Sequence, residues 1–197
     1  MPQVPTIHTT QSVPHREPTG SFDPGVLIRE CIKGSRAAQK ELYDRYAPAA
    51  YGVIKRYVNG DVSRADEILN ESFFKVLTKL DQYSFQGAFE GWIRKIVVNT
   101  VLDYVRKEMQ QAGYHKEVEP EDARIESDGV ERLSYKELLQ LVQALPDVQR
   151  TVFNLFVFEN YSHKEIAQAL QLNENNCRWH LNDARRRLKE KINNLTP

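Results

Sequence analysis

Apolar residues recur along this chain at intervals of three and four, with no alternation that would indicate strands. Four helices with this spacing are predicted in residues 23–108, and helical periodicity returns at Leu133. A polar, acidic stretch at 109–131 separates the two parts and is typical of a linker. The pattern therefore predicts an all-α fold, in which two small helical domains are joined by a flexible linker.

Residues 1–22 differ from the rest, because they carry four prolines and few large apolar side chains. Such a segment buries too little apolar surface to offset the entropy of ordering it, which predicts a disordered tail.

Cap residues mark the starts of the predicted helices. Asp23, followed by a proline, opens the first helix, and Ser35 opens the second. The segment 63–66 is predicted to cap the third helix, and the fourth begins at Phe89.

Residues 146–195 have the spacing of a helix-turn-helix whose last helix is basic. Ser162 and Glu165 have the spacing of a capping box, in which each side chain accepts a hydrogen bond from the backbone amide of the other residue. Asn173 is a suitable N-cap for the last helix. Recognition helices of this kind place their first turns in the major groove, so the pattern predicts DNA binding. The alternative is an ordinary amphipathic helix pair with a solvated basic end.

The last helix carries a narrow apolar stripe, which we expect to face the core. The stripe consists of Cys177, Leu181, Ala184 and Leu188. The residues beside it are expected to face solvent or DNA. They are Asn175, Asn176, Arg178 and Trp179 in the first turns and Arg185, Arg186 and Arg187 further along.

A second informative stretch, 83–107, places aromatic residues beside basic ones. Its members are Tyr83, Phe85, Phe89, Trp92, Arg94, Lys95, Arg106 and Lys107. Aromatic faces beside cations bind unstacked bases, at about 1–3 kcal/mol per stacked base. Phe89 and Trp92 are better interpreted as core anchors, whereas Tyr83 and Phe85 fit either role.

Charge is unevenly distributed although the net charge is zero: two mildly basic blocks flank the acidic segment. A phosphate backbone responds to the local field rather than to net charge, so nucleic-acid binding stays compatible with this composition. No apolar run approaches the roughly 20 residues that span a bilayer, and the N-terminus does not have the pattern of a signal peptide. We therefore expect a cytoplasmic protein without membrane insertion.

No motif indicates catalysis. The chain has no glycine-rich phosphate loop, no HExxH motif and no nucleophile elbow. Cys31 and Cys177 lie far apart in sequence without a CxxC neighbour, which argues against a metal site and a disulfide framework. The sequence predicts no enzymatic activity, no cofactor and no bound metal.

The order of these motifs resembles the extracytoplasmic function group of bacterial sigma factors, in the sigma-70 family. Residues 38–107 resemble the second conserved region of that family, and residues 133–193 resemble the fourth. The resemblance implies a region 2 domain at 23–108 and a region 4 domain at 132–197. The first would be a four-helix domain that binds core RNA polymerase and melts the −10 element, and the second a helix-turn-helix that reads the −35 element.

The resemblance also implies partners and site residues. The partners would be the largest and second-largest subunits of core RNA polymerase, promoter DNA and an anti-sigma factor. The polymerase-binding residues would be Asp66, Glu67, Asn70, Glu71, Phe74 and Lys75. The −10 residues would be Tyr83, Phe85, Trp92, Arg94, Lys95, Asn99, Asp103, Arg106 and Lys107. The −35 residues would be Ser162, Lys164, Asn175, Asn176, Arg178, Trp179, His180, Arg185, Arg186 and Arg187.

Some positions depart from the family pattern. The loop before Phe89 is shorter than in many relatives, and Trp179, His180 and Asp183 replace the residues that are common there. We therefore expect a −35 sequence preference of its own. Two other functions stay open on sequence grounds: a free-standing helix-turn-helix regulator, which would bind a symmetric duplex alone, and a helical adaptor, which would bind only protein.

Overall fold

The computed structural model describes residues 23–113 and 134–195, and these residues are helical with no strand among them. The N-terminal unit, 23–113, contains α1 (Pro24–Ile32), α2 (Arg36–Ile54), α3 (Val62–Thr78), a 3-10 turn (Leu80–Gln82) and α4 (Phe89–Gln111). The C-terminal unit, 134–195, contains α5 (Tyr135–Gln143), α6 (Asp147–Val157), α7 (His163–Leu170) and α8 (Glu174–Leu195). The all-α prediction is confirmed. The predicted tail at 1–22 and most of the predicted linker lie outside the described residues.

Three of the four predicted helix starts in the N-terminal unit are confirmed, and one is wrong. α4 begins at Phe89, as predicted. The Asp23 and Ser35 side chains each accept a hydrogen bond from a backbone amide of the helix that follows. The third helix begins earlier than the sequence predicted, because the Asp61 side chain caps it and segment 63–66 lies inside its first turn. Asp61 is an equally good cap residue, and it comes directly after Gly60, whose positive φ of 70° turns the chain.

The predicted linker begins too early. α4 continues to Gln111, and Met109 is buried against the N-terminal core. The polar residues there are good helix formers, so polarity alone did not mark the end of the helix. Gly113, with a φ of 61°, follows the end of α4.

The N-terminal unit is a bundle in which α2, α3 and α4 pack against one another and α1 packs on α2. Each helix contributes its apolar stripe to one shared core. Its most deeply buried side chains include Ile28, Leu42, Ile54, Ile68, Val76 and Val97. This packing fixes the directions in which α3 and α4 present their outer faces.

The C-terminal unit is arranged around α8, which packs against both α6 and α7. The predicted capping box is confirmed: the Ser162 amide donates to Glu165 Oε2 at 2.8 Å, and the Glu165 amide donates to Ser162 Oγ at 3.2 Å. At the start of α8, the Asn176 amide donates to Asn173 Oδ1 at 2.7 Å, as expected for an N-cap. The α7–α8 pair is therefore a helix-turn-helix.

The two units are in direct contact. α4 packs against α6 and α7, and side chains of the C-terminal unit reach the end of α2.

Candidate polymerase and nucleic-acid interfaces

The outer face of α3 collects five of the six predicted polymerase-binding residues. Asp66, Glu67, Asn70, Glu71 and Phe74 are all exposed, because they lie opposite the buried stripe of the same helix. Phe74 is 69% exposed, which is unusual for a phenylalanine. An apolar ring set among acids on a rigid helix has the composition of a surface for a protein partner.

Lys75 has a different position from the other five. Its ammonium contacts Glu71 Oε1 at 2.9 Å and Asp103 Oδ2 at 3.1 Å, so it joins α3 to α4. Burial lowers the pKa of Lys75, but hydrogen bonds to Glu71 and Asp103 outweigh burial and hold the pKa above its ordinary value. Asp103 also binds Arg106. Lys75 and Asp103, predicted for two different partners, thus bind each other in this conformation.

The outer face of α4 presents most of the residues that were predicted for the −10 element. Lys95, Asn99 and Lys107 are exposed, while Trp92 and Arg106 are partly exposed. Apolar residues alternate with these at helical spacing and fill the core, so the polar residues share the outer surface.

The two aromatic residues in the loop before α4 differ in exposure, although their ring centroids lie 5.1 Å apart. Tyr83 is buried against Phe89 and Trp92, and its hydroxyl donates to the Gly87 carbonyl at 2.8 Å. The prediction that Tyr83 contacts DNA is therefore wrong for this conformation, because its ring and hydroxyl are both satisfied internally. Phe85 is 51% exposed and has a φ of 57°, a left-handed conformation that is rare for an aromatic residue.

Some of the α8 residues that were predicted to contact DNA are exposed, and others are buried. Asn175 and Arg178 are exposed, and Trp179 is partly exposed. Asn176 and His180 are buried, so their predicted contacts with DNA are wrong for this conformation. The reason is that α6 and α7 both cover α8, and the buried face is therefore wider than the apolar stripe alone.

The C-terminal arginines are held by an acid that the sequence analysis left unassigned. Asp183, which is buried, accepts hydrogen bonds from Gln149 at 3.0 Å, Arg186 at 2.5 Å and Arg187 at 2.8 Å. Burial raises the pKa of Asp183, but the hydrogen bonds of Arg187 and Arg186 outweigh it and hold the pKa below its ordinary value. Arg186 and Arg187 stay about half exposed, and Arg185 lies over the Phe156 ring at 5.5 Å.

The remaining predicted −35 residues lie at the start of α7. Ser162 and Lys164 are exposed there, although the Ser162 hydroxyl is already used in the capping box. Arg178, near the start of α8, is close to Glu174, with 3.6 Å between the guanidinium and carboxylate atoms. The exposed part of the predicted −35 surface thus runs from the start of α7 along one side of α8.

Other side chains that could react or bind a metal ion are few among the described residues. Cys31 and Cys177 are free thiols in the core, and burial raises the pKa of Cys177 to about 11. Within 23–113 and 134–195, no group of histidine, cysteine and acidic side chains could hold a metal ion. No helix in the same ranges is long and apolar enough to cross a membrane.

Two family models match the chain, one for each helical unit. The model of Sigma-70 region 2 matches residues 42–111, and that of Sigma-70, region 4 matches residues 135–188. Together they cover the helices that carry the α3, α4 and α8 surfaces. The chain belongs to the sigma-70 family. This protein is therefore an RNA polymerase sigma factor, and a free-standing helix-turn-helix regulator is not favoured because region 2 is matched as well.

Individual relatives named as ECF sigma factors align with more than four-fifths of this chain and support its place in the extracytoplasmic function (ECF) group of the sigma-70 family. The ECF RNA polymerase sigma factor SigW of Bacillus subtilis (strain 168) is 25% identical over 180 residues, which are 85% of this chain and 96% of that protein. The ECF RNA polymerase sigma-E factor of Escherichia coli (strain K12) is 26% identical over 183 residues, covering 86% and 94%. The ECF RNA polymerase sigma factor BldN of Streptomyces coelicolor is 28% identical over 174 residues, covering 81% of this chain and 63% of BldN.

Solved structures also align with the chain. RpoE from Bartonella quintana, in complex with the anti-sigma factor NepR, aligns with a TM-score of 0.47 and 17% identity, covering 80% of this chain and 98% of RpoE. CnrH, in complex with the cytosolic domain of CnrY, aligns with a TM-score of 0.44 and 17% identity, covering 85% of this chain and 96% of CnrH.

Proposed function

We propose that this sigma factor binds core RNA polymerase through the outer face of α3, engages the melted −10 strand with α4 and Phe85, and reads the −35 duplex with the start of α8. The single observation that carries this proposal is the match of the two family models to the units that contain α3, α4 and α8. The exposed Phe74 among acids supports α3 as the polymerase surface. The α4 surface supports the second part, since Lys95 and Asn99 share a helix face with the partly exposed Trp92.

The proposed partners follow from these surfaces. They are the two large subunits of core polymerase, promoter DNA and, because Tyr135, Val157 and Phe158 are also exposed, an anti-sigma factor. We propose a cytoplasmic location and no catalytic activity of its own, since members of the family act as transcription initiation factors. The domain division proposed extends region 2 from the predicted 23–108 to 23–111, where α4 ends, and keeps region 4 at 132–197, each acting on one promoter element. Tethering the two domains raises the effective concentration of the second contact once the first is made.

The first test of this function is transcription from sheared host DNA by core polymerase, with and without this protein, with RNA 5′ ends mapped. We expect new start sites that share two sequence elements at a constant spacing. An unchanged set of start sites, together with tight binding of the protein alone to a palindromic duplex, would contradict the proposal.

A Phe74→Ala variant tests the polymerase surface itself. Because the ring is solvated in the free protein, its removal leaves the fold intact, while affinity for core polymerase falls by about 2 kcal/mol if Phe74 is a hot spot. Val62→Ala is the matched control, since Val62 is also an exposed apolar residue of α3 but lies in its first turn, at the opposite end of the helix from Phe74. Equal affinities of the two variants for core polymerase would contradict the assignment of Phe74.

A further inference from the structure

The loop before α4 lies against the first turn of α1. The 3-10 turn that leads into the loop contacts α1, and Tyr83 anchors the loop in the core. The Phe85 ring comes close to α1 as well: its Cε1 atom is 3.6 Å from the point where a β-carbon of residue 25 would stand. Because that residue is Gly25, the ring faces the helix backbone at this point rather than a side chain.

Arg29 reaches the same point from one turn further along α1. Its Nη1 atom is 3.3 Å from the β-carbon position of Gly25, as expected for residues four apart on one helix face. The Arg29 side chain is 59% exposed. A solvated guanidinium and the half-exposed Phe85 ring therefore border one glycine, although they come from different parts of the chain.

Arg29 is bound only weakly in this position. The Asp23 carboxylate accepts the Gly25 amide at 2.8 Å, and its other oxygen is 3.8 Å from Arg29 Nη2, which is too long for a hydrogen bond. Both side chains are more than half exposed, and exposed ion pairs contribute little to stability. A phosphate, which arginine binds with two parallel hydrogen bonds, can therefore replace Asp23 at little cost.

This arrangement has the two parts of a site for an unstacked nucleotide. An aromatic ring provides a face for the base, and a cation beside it binds the backbone of the same strand. The sequence analysis applied this criterion to 83–107 and gave α1 no role, because Arg29 lies on another helix, far earlier in the chain. Only the fold brings it beside Phe85.

We propose that Arg29 binds the phosphate next to the base that stacks on Phe85, so that α1 forms part of the strand-binding surface. Gly25 is a positioning residue for this contact, since a β-carbon there would be only 3.0 Å from Asp23 Oδ1 and 3.3 Å from Arg29 Nη1. That the strand is the melted −10 element rests on the proposed function of Phe85.

The test uses the holoenzyme formed by core polymerase and full-length sigma factor. The probe is a fluorescent forked promoter DNA with an unpaired −10 strand, in the sequence that start-site mapping gives. Its affinity is measured over a series of potassium chloride concentrations for wild type, Arg29→Ala, Arg29→Lys, Phe85→Ala and Lys33→Ala. Lys33→Ala is the charge-matched control, because Lys33 lies at the opposite end of α1 from Gly25 and is bound to Glu30 at 2.8 Å.

We expect Arg29→Ala to weaken binding severalfold at low salt and to reduce the salt dependence. The slope of log affinity against log salt should become smaller by about 0.7, the value for one phosphate of a single strand. The loss should be equal on probes that differ in one −10 base, because a phosphate carries no sequence information. Arg29→Lys should restore most of the slope, since it keeps the charge, and Lys33→Ala should behave as the wild type.

Unchanged probe affinity in Arg29→Ala would overturn the inference, whatever Phe85→Ala does. Equal losses in Arg29→Ala and Lys33→Ala would also overturn it, because general charge would then explain the effect. The same holds for a loss confined to one base, or for weaker binding of Arg29→Ala to core polymerase alone, which would make Arg29 a protein contact. A loss in Arg29→Ala without one in Phe85→Ala would retain the α1 contact and contradict the function proposed for Phe85.

Discussion

α4 and α8 are the two helices proposed to bind DNA, and they differ in which kinds of residue they bury. In α4 every buried residue except Thr100 is apolar, and Thr100 donates its hydroxyl to the Ile96 carbonyl of its own helix. In α8 the buried face includes Asn176, His180 and Asp183. The apolar pattern therefore predicts the surface of α4 well and the surface of α8 poorly.

The difference has a physical origin in composition and coverage. α4 has enough apolar residues to fill the contacts that its neighbours make. α8 has few apolar residues and lies between α6 and α7, so the polar positions next to its apolar stripe are enclosed as well. Enclosed polar groups require partners, and Gln149 of α6 supplies one for Asp183. A narrow stripe on a helix with two neighbours is a sign that flanking polar residues are buried.

The largest expected effect comes from truncating the buried side chain of His180. His180→Ala should lower the free energy of unfolding by about 2–4 kcal/mol, as the removal of other large buried side chains does, because it leaves a cavity between α8 and its neighbours. Chemical denaturation measures the change. Asn99→Ala, at an exposed position of α4, is the control and should stay within about 0.5 kcal/mol of the wild type. A His180→Ala variant as stable as the control would show that the comparison between α4 and α8 is wrong.

A smaller effect is expected from Arg178, which the structure leaves on the surface. If Arg178 reads a guanine, Arg178→Ala should cost about 1–3 kcal/mol in promoter binding and relax the preference at one base pair. The measurement is competition among single-base promoter variants for the complex with core polymerase.

Arg186→Ala is the matched control for Arg178, because Arg186 is similarly exposed but bound to Asp183 and Glu190. It should weaken binding slightly and equally on all sequences. Uniform weakening by Arg178→Ala as well would mean that Arg178 contacts phosphate rather than a base.

The smallest effect concerns His163 at the start of α7. Its ring stacks on Phe156 at 4.9 Å, and burial, assisted by Arg178 and Arg185, lowers its pKa below the ordinary value of 6.5, while Glu174 opposes the shift. The unfolded chain then takes up a proton at a higher pH than the folded chain does. Stability is therefore fully present above pH 6.5 and is lost as the pH falls through that value towards the lowered pKa.

His163→Gln removes this titration and should flatten the dependence of unfolding free energy on pH between about pH 7 and pH 5, where histidine is the side chain that normally titrates. Thermal melts across that interval, compared with the wild type, measure the slope. Identical slopes in the two proteins would show that His163 keeps its ordinary pKa.

Sequence reasoning succeeded where the controlling interaction is local. Asp23 and Ser162 cap helices through residues two or three positions away, so the pattern that predicts them is contained in one turn. It failed for Asn176 and His180 because their burial depends on how two other helices cover α8. The burial of Glu159 was also missed, because it depends on a residue even further away in sequence. Its carboxylate binds Arg94, which lies 65 residues earlier in the chain, and nothing near Glu159 in sequence indicates a buried acid.

The hydrogen bonds to the turn after α2 have a consequence for the order of events during synthesis. The carbonyls of residues 55–57 accept hydrogen bonds from side chains that lie 88 to 98 residues further along the chain. At the usual rate of about 5–20 residues per second, α2 is therefore made several seconds before these donors exist. Until then water must bind the three carbonyls, and Arg56 lacks the carboxylate of Glu159. The end of α2 is thus more cationic in the nascent chain than in the finished protein, and synthesis of the turn between α6 and α7 ends that difference.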